Sequence, residues 1–288
     1  MSEKKNQNFG GPWTEEKLQM FMDYLNAYLT ALKNQPFEKV YIDAFAGTGT
    51  IKINLEEEHV IAGSASRVLS AKLKFDRYYF IEYDNKKVQE LRKMVEEEFP
   101  DCVGKVEILQ GDANIRLPEI LDQIDWKKTR GLLFIDPFAT AFRWESLEKV
   151  ARTEAIDLWY LFPYSALNRM LKRNGKIDPS WKSRINGLLG TADWEEEFYK
   201  ESPQLSLFEI EQVKDADLDK ISKYLVKRLK TIFPRVAEKT YTFTNNGNNP
   251  LFLFCFAVSN KRRGAQDIAI RIANHIINQH EERKGYRG

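Results

Sequence analysis

The sequence predicts an α/β fold: a doubly wound, mostly parallel, seven-stranded sheet with a C-terminal β-hairpin and a helical insertion. Three observations predict it. Short, almost wholly apolar runs alternate with amphipathic stretches, the pattern of strands buried on both faces between covering helices. Four of those runs are closed by an acidic residue. Two later strand-like runs flank Asn245-Asn246-Gly247-Asn248-Asn249, a hairpin signal with a loop longer than a two-residue turn.

The elements follow in order. Residues 1–12 are polar, carry Lys4 and Lys5, lack an apolar segment and read as a disordered tail. Residues 14–33 form a helix: Leu18, Phe21, Met22, Leu25, Tyr28, Leu29 and Leu32 recur at helical spacing, Thr14 is its expected cap, and Pro36 ends it. Residues 39–45 are a short buried strand. Residues 51–62 read as irregular, with an acidic run at Glu56, Glu57 and Glu58. A helix over 64–74 precedes the strand 77–83, and a charged amphipathic helix over 85–99 precedes the strand 106–110. After a short helix at 117–124 come an apolar strand at 131–135, a helix at 144–152 and another apolar strand at 156–162. Residues 164–238 are mainly helical, broken at Gly175, Gly187 and Gly190. The hairpin strands 239–244 and 251–259 and a helix over 265–282 complete the chain. The expected division is one ligand-binding domain over 13–163 and 239–288, with 164–238 inserted as a substrate-recognition region.

Composition bounds the function. The 288 residues carry a net charge of +2, so the whole chain lacks the basic excess usual in nucleic-acid-binding domains. Charge gathers locally at Lys172, Arg173, Lys176, Lys182 and Arg184, and again at Lys261, Arg262 and Arg263. Either cluster suits phosphates or a solvated face. No run approaches the roughly 18 to 20 apolar residues of a membrane span, so no membrane partner is expected. Two cysteines and three scattered histidines give neither a disulfide framework nor a metal spacing, and a reducing cytoplasm is the expected location.

The chemistry concentrates at the strand ends. Asp43-Ala44-Phe45-Ala46-Gly47-Thr48-Gly49 closes the first strand. Ligands of open α/β sheets sit beyond the carboxyl ends of strands, and glycine lets the backbone approach them. A phosphate loop needs Gly-Lys-Ser/Thr, and this turn has no lysine. A dinucleotide fingerprint needs a third glycine and an acid about 20 residues on, and neither is present. Glu82, followed by Tyr83, closes the second main strand, where a carboxylate can accept both hydroxyls of a ribose. Asp112, followed by Ala113, closes the third and can accept from an adenine amino group. Asp136-Pro137-Phe138 closes the fourth. There a carboxylate and a backbone carbonyl can polarise an exocyclic amine while the aromatic ring stacks on a base. Neither Cys102 nor Cys255 follows that strand, which argues against a cysteine nucleophile attacking a pyrimidine ring.

The turn at 43–49 resembles motif I of S-adenosylmethionine methyltransferases, and Asp136-Pro137-Phe138 resembles the (D/N/S)-P-P-(Y/F/W) motif of amino-group methyltransferases, less its second proline. The set of motifs at 41–49, 63–70, 80–84, 111–114, 132–138 and 161–171, with Gly190 and Trp194, resembles the bacterial three-Cys-motif partner family, over roughly residues 14–200. The resemblance implies a class I, Rossmann-like methyltransferase sheet, S-adenosyl-L-methionine as cofactor, and a protein partner encoded nearby. It implies donor contacts at Asp43, Ala44, Phe45, Ala46, Gly47, Thr48, Gly49, Glu82, Tyr83, Asp112 and Ala113. Ser64, opening a helix, is expected to reach the same pocket. Asp136, Pro137 and Phe138 are the expected catalytic residues, with no metal. Trp13 and Lys17 either cover the site or pack in the core, the plainer expectation being packing. The acceptor stays open between an adenine-type amine of RNA or DNA, a peptide or small molecule, and none at all in an accessory protein. The nucleic-acid reading expects the basic stretches 168–184 and 261–263 to face Asp136.

Overall fold

The computed structural model describes residues 12–52, 60–201 and 212–285. The expected tail and the acidic run at 56–58 lie outside them, apart from Pro12. Helix α1 (Pro12–Leu32) leads into β1 (Glu38–Asp43), β2 (Thr50–Lys52), β3 (Val60–Ala62) and α2 (Ser64–Ser70). Next come β4 (Arg77–Glu82), α3 (Asn85–Glu98), β5 (Val106–Gln110), α4 (Ala113–Gln123), β6 (Thr129–Ile135), α5 (Trp144–Arg152) and β7 (Ile156–Phe162). Helices α6 (Tyr164–Met170), α7 (Pro179–Leu189) and α8 (Trp194–Phe198) precede β8 (Tyr199–Glu201) and β9 (Gln212–Lys214). The chain closes with α9 (Leu218–Leu229), β10 (Arg235–Val236), β11 (Tyr241–Thr244), β12 (Pro250–Val258) and α10 (Arg263–Gly285).

The main sheet runs β5–β4–β1–β6–β7–β12. The first five strands are parallel, and β12 is antiparallel to β7. Both β10 and β11 pair with the other side of β12, at Val258–Ala257 and at Phe254–Pro250 respectively. The seventh strand position expected from the sequence is therefore filled by two short segments in succession, giving eight strands in all. After β1 the chain moves outward through β4 and β5, then returns to the other side of β1 for β6 and β7. The switch point lies between β1 and β6, where doubly wound sheets open a crevice at their carboxyl ends.

Alternation within the strands divides two cores. Ile42, Ile81, Leu133, Ile135, Leu158 and Tyr160 face α4, α5, α7 and α9. Tyr41, Phe80, Leu132, Phe134, Trp159 and Phe254 face α1, α2, α3 and α10. Fully burying each such side chain contributes about 1.5–3 kcal/mol before the entropy of ordering it is counted. Ile185, Trp194, Phe198, Ile221 and Leu225 of the 164–238 stretch belong to the first core, so this stretch shares a core with the sheet. It also contains the β8–β9 ribbon and β10, which the helical reading did not anticipate.

Two further expectations change. Residues 50–52 and 60–62 pair as the β2–β3 hairpin, where an irregular segment was expected; three-residue strands are too short to register as periodicity. Helix α1 begins at Pro12, a residue preorganised for a helix start, so Thr14 lies inside the first turn and does not cap it. Among the described residues no helix is long and apolar enough to cross a membrane, and no cluster of three His, Cys, Asp or Glu side chains has metal-binding geometry.

Candidate functional site at the carboxyl edge

The turn after β1 is held by both neighbours: Ala44 N–H donates to Phe134 O (3.0 Å) and Ala46 N–H to Ile81 O (2.9 Å). Asp43 is wholly buried at its head. The carboxylate accepts from Ser64 Oγ (2.6 Å), Phe45 N–H (3.1 Å) and the Tyr41 hydroxyl (3.2 Å). Burial pushes this carboxyl up to about 6; Ser64 and Phe45 pull it down, and the nearby charge of Asp136 pushes it further up. Ala44 and Ala46 are buried, while Phe45 is half-buried with its ring edge-on to Phe142 at 6.0 Å. Gly47 and Gly49 adopt positive φ of 65° and 80° on either side of the half-buried Thr48. A Cβ on Gly49 would overlap Met94 Cε, whereas one on Gly47 would meet open space.

Glu82 closes β4 and is 9% exposed. Its two oxygens accept from Gly47 N–H (3.0 Å) and Asp84 N–H (2.8 Å), so the second strand end fixes the turn of the first. Tyr83 beside it is 77% exposed. Asp112 is exposed and caps α4 by accepting from Asn114 N–H (2.8 Å), with Ala113 buried beneath. Asn114, which the sequence reading passed over, connects two loops. Its amide donates to Asp112 (2.9 Å) and to Ala141 O (2.8 Å), and its oxygen accepts from Arg143 N–H (2.8 Å).

Asp136 is the first residue beyond β6, two places past Phe134, the register partner of Asp43. Pro137 is buried, Phe138 is 67% exposed, and Ala139 takes a left-handed φ of 51°. The Asp136 carboxylate forms an ion pair through Oδ2 with Lys17 of α1, which is only 3% exposed and lies 5.2 Å from the Trp13 ring centroid. Trp13 in turn packs at 5.0 Å on Phe252, and Glu15 pairs with Arg67 of α2 at 2.5 Å. The first turn of α1 is thereby pinned over the ends of β1 and β6. Lys17 is the residue at this edge whose place packing logic undervalued. Its signal was a charge in step with Phe21, Tyr24 and Tyr28 on the buried stripe, where lysine is rare unless paired.

The structure brings Asp43, Ser64, Glu82, Asp112 and Asp136 to one edge of the sheet. Buried carboxylates there outweigh the Lys17 ammonium, which suits a ligand with positive charge. Helix α6 leaves the same edge of the sheet from β7. The 261–263 cluster does not face Asp136, contrary to expectation. It follows the end of β12, paired with the first residues of β7, at the opposite edge of the sheet, where Lys261 pairs with Glu154. The antiparallel direction of β12 is the reason. Cys102 and Cys255 are both buried, and burial pushes the Cys255 thiol well up.

No family model and no curated protein matches the chain. Among solved structures, it is similar to a Legionella pneumophila protein at 12% identity, covering 92% of each chain with a TM-score of 0.47. It is also similar to spermidine synthase from Thermotoga maritima at 13% identity, covering 84% of this chain and 61% of that one, with a TM-score of 0.42. The methyltransferase domain of bacterial Hen1 follows at 10% identity, 83% and 98% coverage and a TM-score of 0.39. Likenesses of this size carry no argument about chemistry; the strand order, directions and register themselves give the doubly wound α/β sheet.

Proposed function

We propose that this chain is an S-adenosylmethionine-dependent methyltransferase that modifies an exocyclic amine of RNA or DNA, of the adenine N6 type. The observation that carries the reading is the set of carboxylates closing four parallel strands around the β1–β6 switch point, led by the buried, cation-poor Asp43. That set fits a ligand with an ammonium group, a ribose and an adenine. Asp43, braced by Ser64, faces the ammonium. Glu82 holds Gly47 in place and receives the ribose hydroxyls. Tyr83, Asp112 and Ala113 border the base. The turn Ala44-Phe45-Ala46-Gly47-Thr48-Gly49 supplies close backbone approach. When bound, S-adenosylmethionine supplies an activated methyl group on a sulfonium.

The acceptor side rests on Asp136, Pro137 and Phe138. Lys17 engages Oδ2, and Oδ1 of the 27%-exposed carboxylate has no bond among the described residues, leaving it to accept from an amine. Phe138 offers an exposed ring for stacking, worth about 1–3 kcal/mol per base. Arg169, Lys172 and Arg173 are exposed near the start of the neighbouring basic stretch, suited to backbone phosphates. The motif likeness to the three-Cys-motif partner family adds a protein partner and a cytoplasmic setting to this reading.

A second reading, a donor-binding accessory protein acting through that partner, is favoured by one fact: Lys17 already engages an oxygen of the acceptor carboxylate. Tritiated methyl transfer to RNA, DNA and protein fractions separates the two. Asp136→Ala is expected to lower label on nucleic acid at least 100-fold with donor affinity retained. Label that survives this substitution refutes the role of Asp136, and donor binding without label on any fraction supports the accessory reading.

A further inference from the structure

The first turn of α1 contains an anomaly in its hydrogen bonding. Lys17 is 3% exposed, yet its ammonium, with three donors, makes a single hydrogen bond among the described residues, to Asp136. Thr14, also 3% exposed, has a hydroxyl with no partner. The two are three residues apart, so they are neighbours on one helix face. Around them are the first-turn N–H groups of a 21-residue helix, which have no intrahelical acceptor. Buried donors left without acceptors are costly, on the order of 1–3 kcal/mol each and more for a charged group. Their clustering at one point marks a place for an anion.

From this we infer that Thr14 and Lys17 form a carboxylate subsite for the amino-acid end of the donor. The inference rests on the donor reading above. Location supports it. The Lys17 partner, Asp136, lies just past the register partner of Asp43. The Glu15–Arg67 pair brings the same turn of α1 against α2, whose Ser64 donates to Asp43. An anion-binding pair thus stands beside a buried carboxylate, the arrangement that a zwitterionic α-amino acid requires. Asp43 takes the ammonium, and Lys17 with Thr14 takes the carboxylate. Lys17 then spans the donor carboxylate and Asp136, so the residue that senses an intact donor also orients the acceptor carboxylate.

The test compares S-adenosylhomocysteine with S-adenosyl-3-thiopropylamine, which keeps the ammonium and lacks the carboxylate. Calorimetric titration of the full chain is expected to give S-adenosylhomocysteine the tighter binding by about 30-fold, the scale of a charged hydrogen bond or two. Lys17→Met is expected to erase most of that ratio by weakening S-adenosylhomocysteine, with thiopropylamine binding unchanged or tighter. Thr14→Val removes only the hydroxyl and is expected to lower the ratio about fivefold; it tests the subsite even where Lys17→Met misfolds. Equal wild-type affinity for the two compounds, or a ratio that survives both substitutions, overturns the subsite while leaving the donor reading intact. Failure of wild type to bind either compound overturns both. If Lys17→Met leaves the ratio intact but weakens binding of an RNA oligonucleotide, the anion is a backbone phosphate and the carboxylate assignment is wrong.

Discussion

Asp43 ties the proposed donor site to pH. Its carboxyl stands at about 6, because desolvation favours the neutral form more strongly than Ser64 Oγ, Phe45 N–H and Tyr41 favour the charged one. A neutral acid cannot pair with the donor ammonium, so binding selects the ionised form. At pH 7.5 nearly all of Asp43 is ionised; at pH 5 about one molecule in ten is, so donor affinity is expected to fall about tenfold between them. The decline follows one proton per ligand below pH 6 and flattens where the acid in the complex begins to titrate. An α-amino group has a usual value of about 7.7–8.0, so the donor's own amine stays mostly protonated across this range. Titration calorimetry with S-adenosylhomocysteine from pH 5 to 7.5, in buffers of different ionisation enthalpy, measures both affinity and the proton released on binding. Asp43→Asn is expected to bind weakly with a flat profile. A flat wild-type profile, or the same break near pH 6 in Asp43→Asn, refutes the assignment.

Three further outcomes follow from the geometry. Burial pushes Asp157 up to about 7, against the hydrogen bond from Tyr24 (2.7 Å) and the charge of Arg130. Ionising a carboxyl so raised costs about 4 kcal/mol of folding free energy, a loss that accumulates as pH rises from about 4 and is complete once pH passes 7. Asp157→Asn is therefore expected to raise the Tm at pH 8 by about 5 °C or more and to give no gain below pH 4, read by differential scanning fluorimetry. Gly49→Ala combines a left-handed backbone with overlap at Met94 and is expected to destabilise by about 2 kcal/mol. Gly47→Ala bears the backbone cost alone, about 1 kcal/mol, so urea melts should rank them in that order. Asn114→Ala removes bonds to Asp112, Ala141 and Arg143 and is expected to weaken donor binding and slow methyl transfer together, whereas a loss confined to one step would show that its two loops act independently.

The strand ends were legible because each joins two short-range signals: an apolar run, and an acid at or just past its end. Asp43, Glu82, Asp112 and Asp136 were all placed at one edge by that logic, and the structure puts them there. What stayed illegible depends on distant pairing. Lys17 meets Asp136 across 119 positions of sequence, and nothing local to either residue names the other. The 261–263 cluster was assigned to the wrong edge because its place depends on the direction of β12, a property of the register with β7. Strands of two or three residues, such as β10 and β2, carry no periodicity. Asn114 reads as an ordinary helix-start residue until the loop at 138–143 folds back onto it.

The divided outer strand position has a consequence for the behaviour of the chain in a crowded solution. β12 is the longest strand in the sheet at nine residues, and it is rich in aromatic and aliphatic side chains. Left bare, it would present an unbroken row of backbone donors and acceptors, the surface on which foreign strands nucleate aggregates. Two short strands cover it instead, with a break at 237–240, so the rim that neighbours meet offers no long template. A chain truncated before residue 235 would keep the strand ends of the candidate site but lose β12 together with its cover, leaving the seven-residue β7 as the edge of the sheet.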